Sequence, residues 1–379
     1  MQERAVYRNL QKHLNRQSVG YPATLTGADR RLLRHFFTPQ EARVALGLTY
    51  RPRSAGEIYT ALGKPSLPLH VVEHHLSSMT KRGSVGYKTV NDQECYFILP
   101  LVVGMYETHL NVLSDSFLKD FKAYTSSPSF GLAFIGTELP QMRTIPVEES
   151  VNPELSVASY DHIRSIIEAS EGPIVVNECI CRKKAAIQGE PCRRTSRTET
   201  CLALGDSAGL CQKMEIGRTI SKNEALEIIR CNEADGLVLQ PSNTQKVEYI
   251  CACCGCCCGL LRIQQELAHP LAFWAANYFA TVDPRICTGC GVCTDICQVG
   301  AAVLHTGDEA AVINPLRCIG CGNCVPRCPS QAIVLNKKET TATPPHTLED
   351  LYDDIMRHKK GFWKKFVLGL KIILKINPK

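Results

Sequence analysis

The stretches Cys287–Cys297, CTGCGVCTDIC, and Cys318–Cys328, CIGCGNCVPRC, share the spacing Cys-x-x-Cys-x-x-Cys-x-x-x-Cys at a constant offset of 31 residues. The likeness runs past the cysteines, with AAVL at 301–304 matching AIVL at 332–335, so the segment is an internal duplication. Three thiolates at three-residue intervals on one loop can reach three irons of a cubane, while the fourth cysteine serves the other site. Gly289, Gly291, Gly320 and Gly322 let the backbone pass close and turn amide N–H groups toward sulfur. A four-cysteine zinc site is self-contained and has no use for exchanged fourth ligands.

The double motif resembles the bacterial ferredoxins with two 4Fe-4S clusters, over residues 280–337. That resemblance implies a βαββαβ domain in which Cys287, Cys290, Cys293 and Cys328 hold one cluster. It implies a second cluster on Cys318, Cys321, Cys324 and Cys297. One position departs from the pattern: Gln298 stands where the first copy usually has proline, and is expected to loosen the turn after Cys297. Fully thiolate-ligated cubanes are one-electron carriers without an open substrate position, so two of them form a relay.

The remaining sulfur is concentrated in CACCGCCCG, Cys251–Gly259, and in a segment upstream of it. The chain has 379 residues and 21 cysteines, with 44% hydrophobic and 21% charged residues, an ordinary globular balance apart from the thiols. Its start, MQERAVYRNLQKHLNRQ, lacks an apolar export signal, so a reducing cytoplasm is expected and disulfides are a poor use for the cysteines. Clustered thiols in that setting usually hold metal. The strand PIVVNE is expected to deliver Cys179 and Cys181 on one face, with Cys192 and Cys201 on loops. With Cys251, Cys253, Cys254, Cys256, Cys257 and Cys258 they make ten candidate ligands, enough for one or two additional 4Fe-4S clusters. A structural zinc site is the competing use. Neighbouring cysteines of an extended tract point to opposite sides, so the tract can feed two separate sites. Cys95, Cys211 and Cys231 stand alone and read as small apolar residues.

At the N-terminus, Ser54 to Glu57 is a capping box opening a short helix. HVVEHHLSSMTKRG follows as a second helix, then GYKTV and ECYFIL alternate about Asn91-Asp92 as a hairpin. This order resembles a winged helix over residues 1–124, serving either protein docking or DNA, the latter with Lys81, Arg82 and Lys88 near phosphates. Residues 125–158 read as a linker or extended crossing segment, 159–279 as a cysteine-rich α/β domain, 280–337 as the dicluster domain and 338–355 as a second linker. The fold class expected is α+β, multidomain.

The formal charge of +6 is misleading as a whole, because eight cations and no acid follow Asp354; without them the 43 Lys and Arg fall to 35, against 37 Asp and Glu. In that tail Phe362, Trp363, Phe366, Val367, Leu370, Ile373 and Leu374 recur at helical spacing opposite Lys364, Lys371 and Lys375. Residues 356–379 therefore read as a basic amphipathic helix, too short to span a bilayer, whose stretch 361–376 suits the cytoplasmic membrane surface or a partner subunit.

From GYPATLTGADRRLLRHFFTPQEA through RTIPVEESV, CICR, CACCGCCCG and the ferredoxin motifs, the chain resembles multi-cluster iron-sulfur proteins of anaerobes. The resemblance implies an electron carrier, subunit or donor of a larger oxidoreductase complex. Neither a Gly-rich nucleotide loop nor a Ser-His-Asp or paired-carboxylate signature is present, so no catalytic residue is assigned and substrate chemistry is expected in a redox partner protein. The alternatives are a redox-sensing DNA-binding regulator and a reductase with an unusual cluster at 251–258.

Overall fold

The computed structural model describes residues 2–63, 67–137, 139–151 and 157–378. The chain divides into two compact units. One comprises Met1–Glu138, Gly205–Arg218 and Tyr352–Val367; the other comprises Leu139–Leu204, Thr219–Leu351 and Leu368–Lys379.

In the first unit the helices Gln2–Arg16, Ala28–Phe36 and Pro39–Val44 precede strand β1, Arg53–Ser54. Helices Ala55–Ala61 and Leu69–Lys81 and the hairpin β2, Gly86–Val90, and β3, Gln93–Phe97, complete a sheet of order β1-β3-β2. The capping box forms: Ser54 accepts from the Glu57 N–H, and the Glu57 carboxylate accepts from the Ser54 N–H. Leu32, Leu33, Phe36, Leu48, Ile58 and Leu76 fill the core. Within GYPATLTGADRR the Tyr21 hydroxyl donates to the Asp29 carbonyl at 2.9 Å, and its ring stacks on Tyr124 at 4.5 Å, so that motif is structural.

The segment 205–218, an excursion of the middle of the chain, also belongs to this unit. Its helix Gly205–Lys213 packs on β2, with Lys88 3.5 Å from Asp206 and the Lys213 ammonium 4.7 Å from the Tyr87 ring centre. Sequence periodicity could not separate this helix from the cysteine-rich segment, since its partners are over a hundred residues away.

The second unit begins inside the stretch expected to be a linker or extended crossing segment. Helix Pro128–Ile135 occupies part of 125–158, and β4, Arg143–Thr144, runs buried; residues 152–156 lie outside the described ones. Arg143 explains the ordering. Its guanidinium, 3% exposed, donates to Asp161 at 3.0 Å, to the Thr244 carbonyl at 2.9 Å, and to the Ser242 and Tyr160 carbonyls. A buried cation is tolerated only when so fully paired. The second expected linker, 338–355, likewise contains most of a helix, Leu348–Arg357.

A five-stranded sheet follows, built from β5, Ile174–Glu178; β6, Glu199–Leu204; β7, Arg218–Ile220; β8, Val238–Pro241; and β9, Tyr249–Cys253, in the order β7-β5-β6-β9-β8. The pairs β5–β6, β6–β9 and β8–β9 are antiparallel, which makes this segment α+β rather than the α/β expected. On one face Ile174, Val176, Leu202, Leu204, Ile250 and Ala252 pack with the helices Ile163–Ala169 and Lys222–Ala234.

After the short β10, Ala275–Ala276, paired with β4, the duplicated module is built from β11, Tyr278–Val282; β12, Ala302–Val303; β13, Val312–Ile313; and β14, Ile333–Lys337. β11 pairs with β14 and β12 with β13. The repeat is visible in single hydrogen bonds. The Asp283 N–H donates to the Ala332 carbonyl at 2.8 Å, and the Asn314 N–H to the Ala301 carbonyl at 2.8 Å, each position displaced by the sequence offset. The copies differ at one helix. Val292–Ile296 is helical, with the Asp295 N–H bonded to the Gly291 carbonyl, whereas the equivalent position of the second copy is Pro326, which has no N–H, and only turns form there.

His109 in the first unit is 3% exposed, packs edge-on to Phe36 at 4.4 Å, and bonds through Nδ1 to the Met105 carbonyl. Burial lowers its pKa to about 4. A depressed histidine pKa favours the neutral ring, so this contribution is intact above the ordinary histidine range and is lost as pH falls from about 6.5 toward 4, by up to about 3 kcal/mol. Hydrogen-exchange protection factors of Ala28–Phe36, corrected for the intrinsic pH dependence of amide exchange, are expected to fall across that window, and more steeply in the native chain than in His109→Gln; parallel slopes would refute the assignment.

Candidate metal and cluster sites

Strand alternation distributes the thiols. Along β9 the residues Ile250 and Ala252 face the helical layer, while Cys251 and Cys253 face the duplicated module. Beyond the strand, Cys254 and Cys257 return to the helical side and Cys258 joins the other. One tract thus supplies two sites on opposite faces of a sheet.

Six thiols form a closed ring. Cys179 contacts Cys181 and Cys201, Cys201 contacts Cys251, Cys251 contacts Cys253, Cys253 contacts Cys258, and Cys258 contacts Cys181. Three positions are reached differently from the sequence expectation. β5 stops at Glu178, after a register shift at Asn177/Glu178, so Cys179 caps the helix Ile180–Ile187 and Cys181 lies in its first turn. Their thiols meet because the helix begins there, not because a strand alternates. Cys201 lies in β6 rather than on a loop, opposite Asn177.

Two buried polar groups adjoin the ring, and neither would be identified from sequence. Gln240, directly opposite Cys251 across β8–β9, is fully buried, and both its amide atoms lack a hydrogen-bond partner. Arg182 donates to the Ala252 carbonyl at 2.6 Å and to the Thr200 hydroxyl, but its Nε has no partner. Burial opposes its charge, yet the thiols of Cys179, Cys201, Cys254 and Cys253 raise its pKa. The orphaned donors Gln240 Nε2 and Arg182 Nε, beside a ring of thiols, suit an anionic group. The ring and these two groups fit an iron-sulfur centre.

Toward the helical layer, Cys254, Cys256 and Cys257 meet Cys192, which comes from the loop after the helix Ile180–Ile187. The hydrogen bond from Cys257 leads the causes that lower the Cys254 pKa to about 5, with Arg182 adding to it.

In the duplicated module the cysteines gather in two electrostatic groups. Cys293 interacts with Cys287, Cys290 and Cys328. Cys324 interacts with Cys321, Cys318 and Cys297. Burial raises the Cys318 thiol, and raises Cys321 to about 12. For Cys328 burial acts upward too, but bonds from Ser330 and from the Ala332 backbone outweigh it and the pKa falls. Backbone donors again follow the repeat, the Ala301 N–H reaching Cys297 at 3.1 Å and the Ala332 N–H reaching Cys328 at 3.3 Å. Gly320, at φ +64, has the Tyr278 carbonyl oxygen 2.2 Å from where a Cβ would stand, so only glycine lets that loop pass.

Gln298 does not loosen its turn. It is 3% exposed, its Oε1 accepts the Gly255 N–H at 2.8 Å, and its Nε2 donates to the Ile296 carbonyl at 2.9 Å. The residue that departs from the ferredoxin pattern is therefore the bond joining the module to the middle of the CACCGCCCG tract. Arg327 and Asn323 extend this junction by donating to the carbonyls of Glu233, Ala234, Gly236 and Leu237. Cys95 and Cys211, in the first unit, are buried, and Cys231 is half-buried.

Residues 280–329 match the family model described as a 4Fe-4S dicluster domain. No curated protein and no solved structure matches the chain. Residues 280–329 are therefore a ferredoxin-type iron-sulfur domain, and the clustered cysteines support a role in electron transfer.

Replacing Gln298 with Leu removes the acceptor of the half-buried Gly255 N–H, at a cost of about 1 kcal/mol. Anaerobic thermal denaturation is expected to shift downward accordingly while the iron bound by the dicluster domain stays constant, because no thiolate is removed. An unchanged midpoint would show that the bond does not contribute.

Proposed function

We propose that the chain relays single electrons through two 4Fe-4S clusters and one further iron-sulfur centre, as a subunit or donor of a larger redox system. The first cluster is assigned to Cys287, Cys290, Cys293 and Cys328 and the second to Cys318, Cys321, Cys324 and Cys297. The third centre is assigned to the ring of Cys179, Cys181, Cys201, Cys251, Cys253 and Cys258. One observation carries this reading: Cys253, Cys258, Cys293 and Cys318 are buried in a single apolar cluster, with Cys251, Cys297, Cys321, Cys324 and Cys328 packed against it. Redox groups embedded so closely in one core can exchange electrons without substrate chemistry between them.

The burial pattern supports an order. Cys290 is exposed and flanked by the exposed apolar residues Ile286 and Val292, which favours docking of a redox partner beside the first cluster. Cys297, a ligand of the second, adjoins Gln298 and so the tract. In the first unit, Arg82 pairs with Glu41 and Lys88 with Asp206. Two of the three cations expected at DNA phosphates, Arg82 and Lys88, are thus engaged internally, which favours reading the winged-helix-like arrangement as a protein-docking module. Among the described residues no helix is long and apolar enough to cross a membrane. The helix Phe362–Ile373 exposes Trp363, Phe366, Leu370 and Ile373, and we read it as a surface anchor on the cytoplasmic membrane face.

Protein prepared without oxygen is expected to contain at least about twelve irons per chain with matching sulfide, against about eight if only the dicluster domain is loaded. Cys201→Ser should lower the iron by one centre and leave the EPR signals of the two ferredoxin clusters in place. An iron count near eight, unaffected by that substitution, would remove the third centre. Separately, the full chain should co-sediment with anionic liposomes and a chain ending at Thr347 should not; equal binding would reject the anchor.

A further inference from the structure

The ten thiols of the middle segment are not equivalent in spacing. Cys192 Sγ lies 3.6 Å from Cys254 and 3.8 Å from Cys256, while Cys256 lies 3.5 Å from Cys254 and 3.7 Å from Cys257. All four sulfurs fall within 4.8 Å of one another. Four thiolates bound to one tetrahedral ion at ~2.3 Å stand about 3.8 Å apart. In a cubane each thiolate binds its own iron at a different corner, so the sulfurs are held farther apart. Among the described residues no other group of three or more cysteines closes this tightly. The eight thiols of the dicluster domain do not, and the six-membered ring touches only between neighbours.

We propose that Cys192, Cys254, Cys256 and Cys257 form a closed structural site for a single zinc ion, separate from the iron-sulfur centres. The assignment does not depend on the third centre, because the two sets share no cysteine. Four thiolates leave no open coordination position, which is the pattern of a structural site rather than a catalytic one.

A second observation concerns the loop that brings Cys192. No residue from 186 to 199 is buried, so this connection has no apolar anchor of its own. It turns its backbone toward sulfur instead, with the Arg194 N–H 3.4 Å from Cys192 Sγ and the Arg193 N–H bonded to Cys256. Such N–H···S bonds offset thiolate charge, and the Arg182 cation adjoins Cys254 from the other side. Two of the ligands are half-buried and two buried, so the ion would close the rim of the helical layer. A metal there replaces the missing core and staples a polar loop to β9 and its extension.

Elemental analysis of the anaerobically prepared full chain is expected to give one zinc per chain beside the iron, retained on desalting. Cys256→Ser should lower zinc at least tenfold and speed proteolysis between Ile187 and Glu199, with the EPR signals of the iron-sulfur centres unchanged. X-ray absorption at the zinc edge of the native chain should show four sulfurs near ~2.3 Å, a readout that does not require the variant to fold. A zinc-free chain, a nitrogen- or oxygen-rich zinc shell, or a loss of iron rather than zinc in Cys256→Ser would each overturn the proposal.

Discussion

The arrangement depends on the pleat of one strand. β9 lies second from the edge of the sheet, between β6 and β8, and its side chains leave alternately toward two different cores. A cysteine tract on a helix or a free loop would present its sulfur to one region. On this strand and its continuation, three thiols go to the duplicated module and three to the helical layer, so a nine-residue stretch sends sulfur to two separate groups. The antiparallel register then adds Cys201 and Gln240 to the row containing Cys251 from neighbouring strands. Slipping β9 by one residue would turn Cys251 and Cys253 to the opposite face.

The duplicated module shows what a repeat retains and what its surroundings alter. The backbone bonds that shape each loop, the positive φ glycines and the N–H groups aimed at Cys297 and Cys328 recur at the same offset. The two departures both fall where one copy meets something the other does not. Gln298 faces Gly255, so it needs a side-chain acceptor that proline cannot provide. Its counterpart, Pro329, follows the usual pattern. Pro326 removes the helical bond that Asp295 makes, and Arg327 beside it turns to the carbonyls of Glu233 and Ala234. A position that looks defective against a family pattern is here part of a junction.

How much was legible in sequence follows from how local the information is. The ferredoxin module could be read because its ligands lie within 11 residues in each copy and the pattern occurs twice. The capping box at Ser54 and the hairpin at Asn91-Asp92 are local too. The opposite-face division of the tract followed from strand geometry alone. The ring did not, because its ligands come from a helix start, from β6 and from β9, and closure depends on register. The burial of 141–147 was hidden for the same reason: the Asp161 and Thr244 partners of Arg143 are 18 and 101 residues away. Helix Gly205–Lys213 looked like part of the cysteine-rich domain because periodicity names a helix but not its partner.

Charge connects the two sulfur sites. Thiolates gathered in a core carry more negative charge than the metal neutralises, and the excess must meet cations or donors inside the protein, since water does not reach it. Arg182 interacts with Cys179, Cys201 and Cys253 of one site and with Cys254 of the other. Its two Nη groups hold the β6 and β9 strands that carry these thiols, through Thr200 and the Ala252 carbonyl. One buried cation thus fixes the spacing of the strands and compensates charge on both faces at once. A neutral replacement would remove both effects together, which ties the occupancy of each site to the integrity of the sheet between them.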